Sequence, residues 1–172
     1  MNVLIALAPK KFRDEELFEA VAAFKKAGIG YEIMSVWRGP CTGMLGASAT
    51  ATISFEEADP KKYGALVIVG GVGAQEYLWD DEILRELVKV FRQSKKPVAA
   101  ICLAPVVLAN AGILKGKKAT VFNTPASLFG MKGGGAILVD QPVVDDDWII
   151  TANGPAAAKS FAETIVRTLA MA

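Results

Sequence analysis

The chain has 172 residues, 52% of them hydrophobic and 22% charged, which suits one globular domain spanning 1–172 with a sizeable core. Nineteen basic and 18 acidic residues give a formal charge of +1. The clustered basic surface that nucleic acid requires is absent, and no apolar run approaches the ~20 residues needed to cross a bilayer. The first strand follows Met1 directly and leaves no room for a leader, so a cytoplasmic protein is expected.

Val3 to Ala8 (VLIALA) reads as a buried strand. In Arg13 to Gly28, Leu17, Ala20, Val21 and Phe24 recur at helical spacing, with acids in the first turn, lysines in the last and Gly28 at the stop. Tyr31 to Val36 alternates as a second strand and completes a βαβ unit. Arg38 to Ser54, rich in Gly, Thr, Ser and Ala, reads as a hairpin excursion at a sheet edge, followed by a loop through Asp59-Pro60.

Ala65 to Val69 (ALVIV) is a further buried strand and ends in Gly70-Gly71. Asp81 to Gln93 places Ile83, Leu84, Leu87, Val88 and Phe91 on one helical face. Val98 to Ile101 predicts a strand and Ala104 to Ala111 a short helix. Lys118 to Phe122 and Ala136 to Val139 are strand candidates separated by the glycine-rich FGMKGGGA. Asp145-Asp146-Asp147 reads as a solvated turn, Trp148 to Ala152 as a late strand and Pro155 to Leu169 as the terminal helix. Strands alternating with helices predict an α/β sandwich around a mostly parallel sheet.

Ligands in such sheets bind beyond the carboxyl ends of the strands. Cys102 stands there, between a strand and a helix, in Ala100-Ile101-Cys102-Leu103-Ala104. Small residues on either side are what a nucleophile elbow needs to turn sharply and present its side chain. The following amides would lower the thiol pKa from ~8.5 toward 3.5–7.5. The competing reading is a small core residue, since free cysteine is among the most buried residue types.

Gly70-Gly71-Val72-Gly73 lacks the Lys-Ser/Thr of a phosphate loop. It reads either as a tight turn or as backbone donors facing Cys102. Glu16 is either a solvated first-turn acid or a carboxyl bordering the buried face. Buried beside the sulfur, it would have a raised pKa and could donate a proton. The chain has no histidine, which removes every imidazole relay and the commonest metal ligand. No carboxylate cluster suggests a metal, and no cofactor is expected. Cys41 reads as a packed residue.

These residues resemble the ThiJ/PfpI family, of the class I glutamine-amidotransferase-like group. The resemblance rests on VLIALAPKKFRDEEL, RGPCTGMLG, SFEEADPKKYGALVIVGG, KPVAAICLAP, LANAGILKGKKAT and DDDWIITANGPA, in that order. It implies a flavodoxin-like three-layer α/β/α sandwich that assembles into homodimers or larger homo-oligomers. It also implies Cys102 as nucleophile, Glu16 as its hydrogen-bond partner, and Gly71 with Leu103 as backbone donors at the oxyanion position.

The chain departs from the protease-like branch in carrying Leu103 where that branch has histidine after the cysteine. It carries Phe122 where other members face the pocket with histidine or tyrosine. Glu76 is the candidate for a glutamate shared between subunits, with Gly70 as a pocket residue. Three functions follow as expectations. The first is cysteine-dependent chemistry on small reactive carbonyls or glycated protein, the second redox sensing or a chaperone-like stress role, and the third peptidase or amidase activity, ranked last because the imidazole is missing.

Overall fold

A computed structural model describes residues 2–172. Its centre is a seven-stranded sheet whose strands lie side by side in the order Val143–Asp146, Ile149–Ala152, Val98–Ile101, Tyr63–Ile68, Asn2–Ala6, Gly30–Ser35 and Ile53–Ser54, parallel except for the first. The chain enters it as β1 (Asn2–Ala6), passes through the short β2 (Lys10–Phe12) into α1 (Asp14–Lys26), and returns as β3 (Gly30–Ser35). A hairpin of β4 (Gly39–Gly43) and β5 (Ser48–Ala51) joins β2 in a small separate sheet. The edge strand β6 (Ile53–Ser54) follows.

From there the chain crosses to the other side of β1. It continues as β7 (Tyr63–Ile68), a π-helical turn (Ala74–Leu78), α2 (Glu82–Gln93), β8 (Val98–Ile101) and α3 (Pro105–Asn110). The two-stranded pair β9 (Lys118–Ala119) and β10 (Ile137–Leu138) brackets α4 (Pro125–Gly133). Then β11 (Val143–Asp146), β12 (Ile149–Ala152) and α5 (Ala158–Met171) close the chain. Among the described residues no helix is long and apolar enough to cross a membrane.

The central strands β7 and β8 are buried at every position, as a parallel sheet covered by helices on both faces requires. One contiguous core runs from Val3 through Phe24, Leu66, Phe91 and Ile101 to Phe161 and Ile165. α1 packs along α5, and α3 lies between α2 and α4. Because β3 lies on one side of β1 and β7 on the other, the chain order reverses beside β1. A crevice is expected at the carboxyl ends of such strands.

The strands and helices read from β1 to β8 stand within a few residues of their expected bounds. Four features differ. Short β2 was not expected, because three residues with two lysines carry no strand pattern. Pro125–Gly133 is a helix rather than a glycine-rich spacer: Thr124 and Ser127 cap it reciprocally and Pro125 opens it. Its glycines serve approach, since a Cβ on Gly130 would stand 2.8 Å from Val106 Cγ1 on α3.

The strand expected over Lys118 to Phe122 ends at Ala119, after which Thr120 N–H donates to Thr151 Oγ1 at 3.0 Å. The acidic run is not a free turn. Asp145 and Asp146 belong to antiparallel β11, and Asp146 accepts the Lys118 amide at 2.8 Å. Asp147 takes up Arg92 and Lys117 at the following turn.

The hairpin is fastened to α1 by one carboxylate. Asp14, buried in the first helical turn, accepts the amides of Leu45 at 2.9 Å and Ala47 at 2.8 Å. Asp14→Ala leaves both amides without their acceptor and should lower stability by about 3 kcal/mol, read from the urea unfolding midpoint. A change below about 0.5 kcal/mol would show that the loop satisfies those amides some other way.

Candidate functional site

Cys102 is the first residue past β8, and its backbone is left-handed, with φ of 65°. A non-glycine residue held there costs on the order of 1–2 kcal/mol and persists only where neighbours fix it. Here they do. The Cys102 amide donates to Ala152 O of β12 at 2.9 Å, and its carbonyl accepts Phe122 N–H at 2.8 Å. The sharp turn expected of a nucleophile elbow is present, but the side chain is not freely presented: the residue is 6% exposed and belongs to the hydrophobic core. Both readings of the cysteine hold in part.

Three strand ends converge on the sulfur. β7 delivers Gly70-Gly71, and the segment after β1 delivers Glu16 through α1. Gly70 is compressed between them: a Cβ there would collide with Ile101 O, lie 2.5 Å from Cys102 Cβ and 2.8 Å from Glu16 Oε1. Gly71 has a φ of 102° and a backbone that touches Lys11, Phe12 and Arg13. The two glycines let the β7 turn lie directly against the cysteine. Their amides act differently. Gly70 N–H donates to Glu16 Oε1 at 2.9 Å, while the Gly71 and Leu103 amides lower the thiol pKa by donating toward the sulfur.

Glu16 is 1% exposed, so the buried-face reading of this residue is correct. Oε1 is held by Gly70. Oε2 has no hydrogen-bond partner, and the Cys102 thiol adjoins the carboxyl closely enough for each to shift the other's titration. Burial raises the Glu16 carboxyl to about 8, against the Gly70 amide and the Cys102 contact, which favour its ionised form. The thiol departs from expectation. Burial first, and the Glu16 charge second, push Cys102 up to about 12, and the Gly71 and Leu103 amides offset this only in part. The two groups titrate as a pair, and near neutrality the pair keeps both protons.

The remaining expected positions lie around this centre. Leu103 is buried and its carbonyl accepts Trp79 Nε1–H at 2.7 Å. Phe122 is joined to Cys102 through the backbone, and its exposed ring lies against Gly154. Glu76 stands on the π-helical turn, exposed and paired with Lys11 at 3.0 Å, and it makes no contact with Cys102. Cys41 is buried in β4, with its thiol directed to Gly39 O at 3.7 Å.

Two contributors were not anticipated. Trp79 carries no periodic signal because its segment is a π turn. Arg13 read as a helix start, yet its guanidinium, bound first to Glu15, lies within electrostatic reach of Glu16 and Cys102.

The raised Glu16 carboxyl has a measurable consequence. The folded chain retains a proton that the unfolded chain releases above its ordinary value of 4.5, so stability falls as pH rises from there to about 8. Glu16→Gln removes that dependence. The stability difference between wild type and Glu16→Gln should change by up to about 1.4 kcal/mol per pH unit inside the window, in the sense of wild type losing ground. A difference independent of pH, measured by urea unfolding at several pH values, would mean that the carboxyl is ionised in the folded chain.

Comparison with known proteins places the chain among relatives of similar sequence and fold. The family model described as DJ-1/PfpI family matches residues 1–168. An uncharacterized protein of Methanocaldococcus jannaschii is 48% identical over 168 residues, 98% of this chain and 82% of its own length. A protein named deglycase from Thermococcus kodakarensis is 35% identical over 150 residues, 87% of this chain and 88% of its own. The crystal structure of a ThiJ/PfpI domain protein from Brachyspira murdochii superposes with a TM-score of 0.95 at 34% identity, covering 99% of this chain and 97% of that one. With a matching family model over nearly its whole length and a flavodoxin-like sheet, the chain belongs to the DJ-1/PfpI family.

Proposed function

We propose that this protein is a cysteine-dependent enzyme of the glyoxalase or deglycase kind, acting on small reactive carbonyls or the adducts they leave on other molecules. Cys102 is the nucleophile and Glu16 the acid–base partner. The observation that carries the reading is the buried Glu16 carboxyl, tied to Gly70 by one oxygen, unpaired at the other, and set against the same glycine as Cys102. The deglycase name of the Thermococcus kodakarensis relative supports the substrate class.

The chemistry suits a site without imidazole. Sγ bonds to the aldehyde carbon of a 2-oxoaldehyde such as methylglyoxal, and the thiol proton passes by way of Glu16 to the carbonyl oxygen, giving a hemithioacetal. The Gly71 and Leu103 amides stabilise negative charge as it develops beside the sulfur. Glu16 then gives its proton to the neighbouring ketone oxygen as it takes the proton of the former aldehyde carbon, and it returns that proton to the ketone carbon while taking up the proton of the hydroxyl beside sulfur. Water cleaves the resulting thioester to lactate and regenerates the thiol. One carbon is oxidised and its neighbour reduced, so no external oxidant enters.

Because the resting pair holds both protons, the thiol proton must leave as the carbon–sulfur bond forms, rather than from a standing thiolate. Peptidase activity ranks below this reading, since no histidine exists in the chain to activate sulfur or protonate an amine leaving group. Redox sensing through a Cys102 sulfinate draws support from the protonated Glu16, which could donate to an oxidised sulfur, but a thiol raised to about 12 is a poor target for mild oxidants. Self-association into a homo-oligomer belongs to the same proposal, with Glu76 the residue a neighbouring copy would meet.

The test is lactate formation from methylglyoxal by the purified chain. Cys102→Ser should abolish it, and Glu16→Gln should lower kcat by roughly 10²- to 10⁴-fold, the usual contribution of a positioned acid–base group. Turnover that survives in Cys102→Ser would rule the mechanism out.

A further inference from the structure

The mechanism above leaves Arg13 unused, and its position is unfavourable for structural reasons alone. It is the N-cap residue of α1, a helix of 13 residues, and its side chain makes no cap hydrogen bond. Asn, Asp, Ser and Thr are the residues that stabilise this position. A cation there also opposes the helix dipole, which favours negative charge at the N-terminus.

What Arg13 does make is a fork. Nε donates to Glu15 Oε1 at 3.0 Å and Nη2 to Glu15 Oε2 at 2.8 Å, which fixes the plane of the guanidinium. Nη1 and the second hydrogen of Nη2 meet no partner among the described residues. The side chain is 27% exposed.

The backbone ties that fork to the site. Arg13 N–H donates to Gly70 O at 2.9 Å, and Gly70 is the residue wedged between Cys102 and Glu16. The guanidinium also lies within electrostatic reach of Glu16 and Cys102. Lys11, the nearest other cation in sequence, is engaged by Glu76. A fixed, partly open cation therefore stands beside a buried carboxyl whose Oε2 has no nitrogen or oxygen partner.

We propose that Arg13 is a specificity residue whose unpaired N–H groups receive a carboxylate on the substrate while Cys102 adds to its carbonyl. The site then favours 2-oxoaldehydes that end in a carboxylate over neutral ones. The idea rests on the carbonyl reading of the site and narrows it. For 4,5-dioxopentanoate, Sγ bonds to the aldehyde carbon and the thiol proton moves to its oxygen. The proton of that carbon is then removed, the adjacent carbon is reprotonated, and water releases 2-hydroxyglutarate and the thiol. Atoms balance with water as the one co-reactant.

Two measurements separate this proposal from the reading beneath it. The first uses no turnover: in a Cys41→Ser background, mass spectrometry gives the rates at which Cys102 is alkylated by anionic iodoacetate and neutral iodoacetamide. Arg13→Gln should lower the iodoacetate-to-iodoacetamide rate ratio roughly tenfold or more, the scale of a charge-assisted contact. Arg13→Lys should fall between, and Glu15→Gln, which frees the fork, should raise the ratio. An unchanged ratio in Arg13→Gln overturns the proposal. If that variant does not fold, an unchanged ratio in Glu15→Gln does so.

The second compares kcat/KM for 4,5-dioxopentanoate and methylglyoxal. A preference for the former that Arg13→Gln removes supports the proposal, and a preference indifferent to Arg13 overturns it while leaving the carbonyl chemistry intact. Failure to turn over either compound, with the alkylation ratio still dependent on Arg13, overturns the carbonyl reading and leaves anion selection standing. A sulfur that neither reagent reaches overturns both.

Discussion

The site depends on one buried carboxyl being neutral. Glu16 has a single amide, that of Gly70, to compensate its burial, and its second oxygen has no hydrogen-bond partner. An ionised carboxylate in that position would have lost its water without gaining the several donors a buried anion needs. Holding a proton removes the problem and turns the oxygen into a donor. The cysteine is bound by the same constraint: desolvation and a potentially charged neighbour both oppose thiolate. The pair thus rests neutral, which differs from a cysteine activated by a permanently charged partner.

Most of the fold was legible because its central elements are extreme. Strands such as Tyr63–Ile68 and Val98–Ile101 are buried throughout and carry unbroken apolar runs, and α2 presents one apolar stripe. The segments that escaped are those in which local composition contradicts tertiary use. α4 contains Gly130 and Gly133 and looks like a spacer, yet small residues there let it lie against α3. β11 carries two aspartates, and it is tolerated as an edge strand because Asp146 is occupied by the Lys118 amide.

The site was legible in its residues more than in its electrostatics. The small neighbours of Cys102 and the paired glycines after β7 indicated a close turn, and the first-turn position of Glu16 left room for burial. Nothing in sequence spacing reports how deeply a thiol will be desolvated. The amides expected to activate Cys102 are present and act in the expected direction, but burial outweighs them. Arg13 was hidden for a different reason. A basic residue before an acidic run looks like ordinary helix-end patterning, and only the Gly70 contact places it beside the reacting atoms.

The backbone bonds of Cys102 also bear on when the site comes into being. Its amide is anchored by Ala152 and its carbonyl by Phe122, so the left-handed bend has no external support until those later segments have docked. A ribosome-bound chain that has not yet extruded β12 already contains the glycines, the acid and the sulfur, but not the geometry that joins them. The juxtaposition of acid, glycines and sulfur is therefore among the final features the polypeptide acquires.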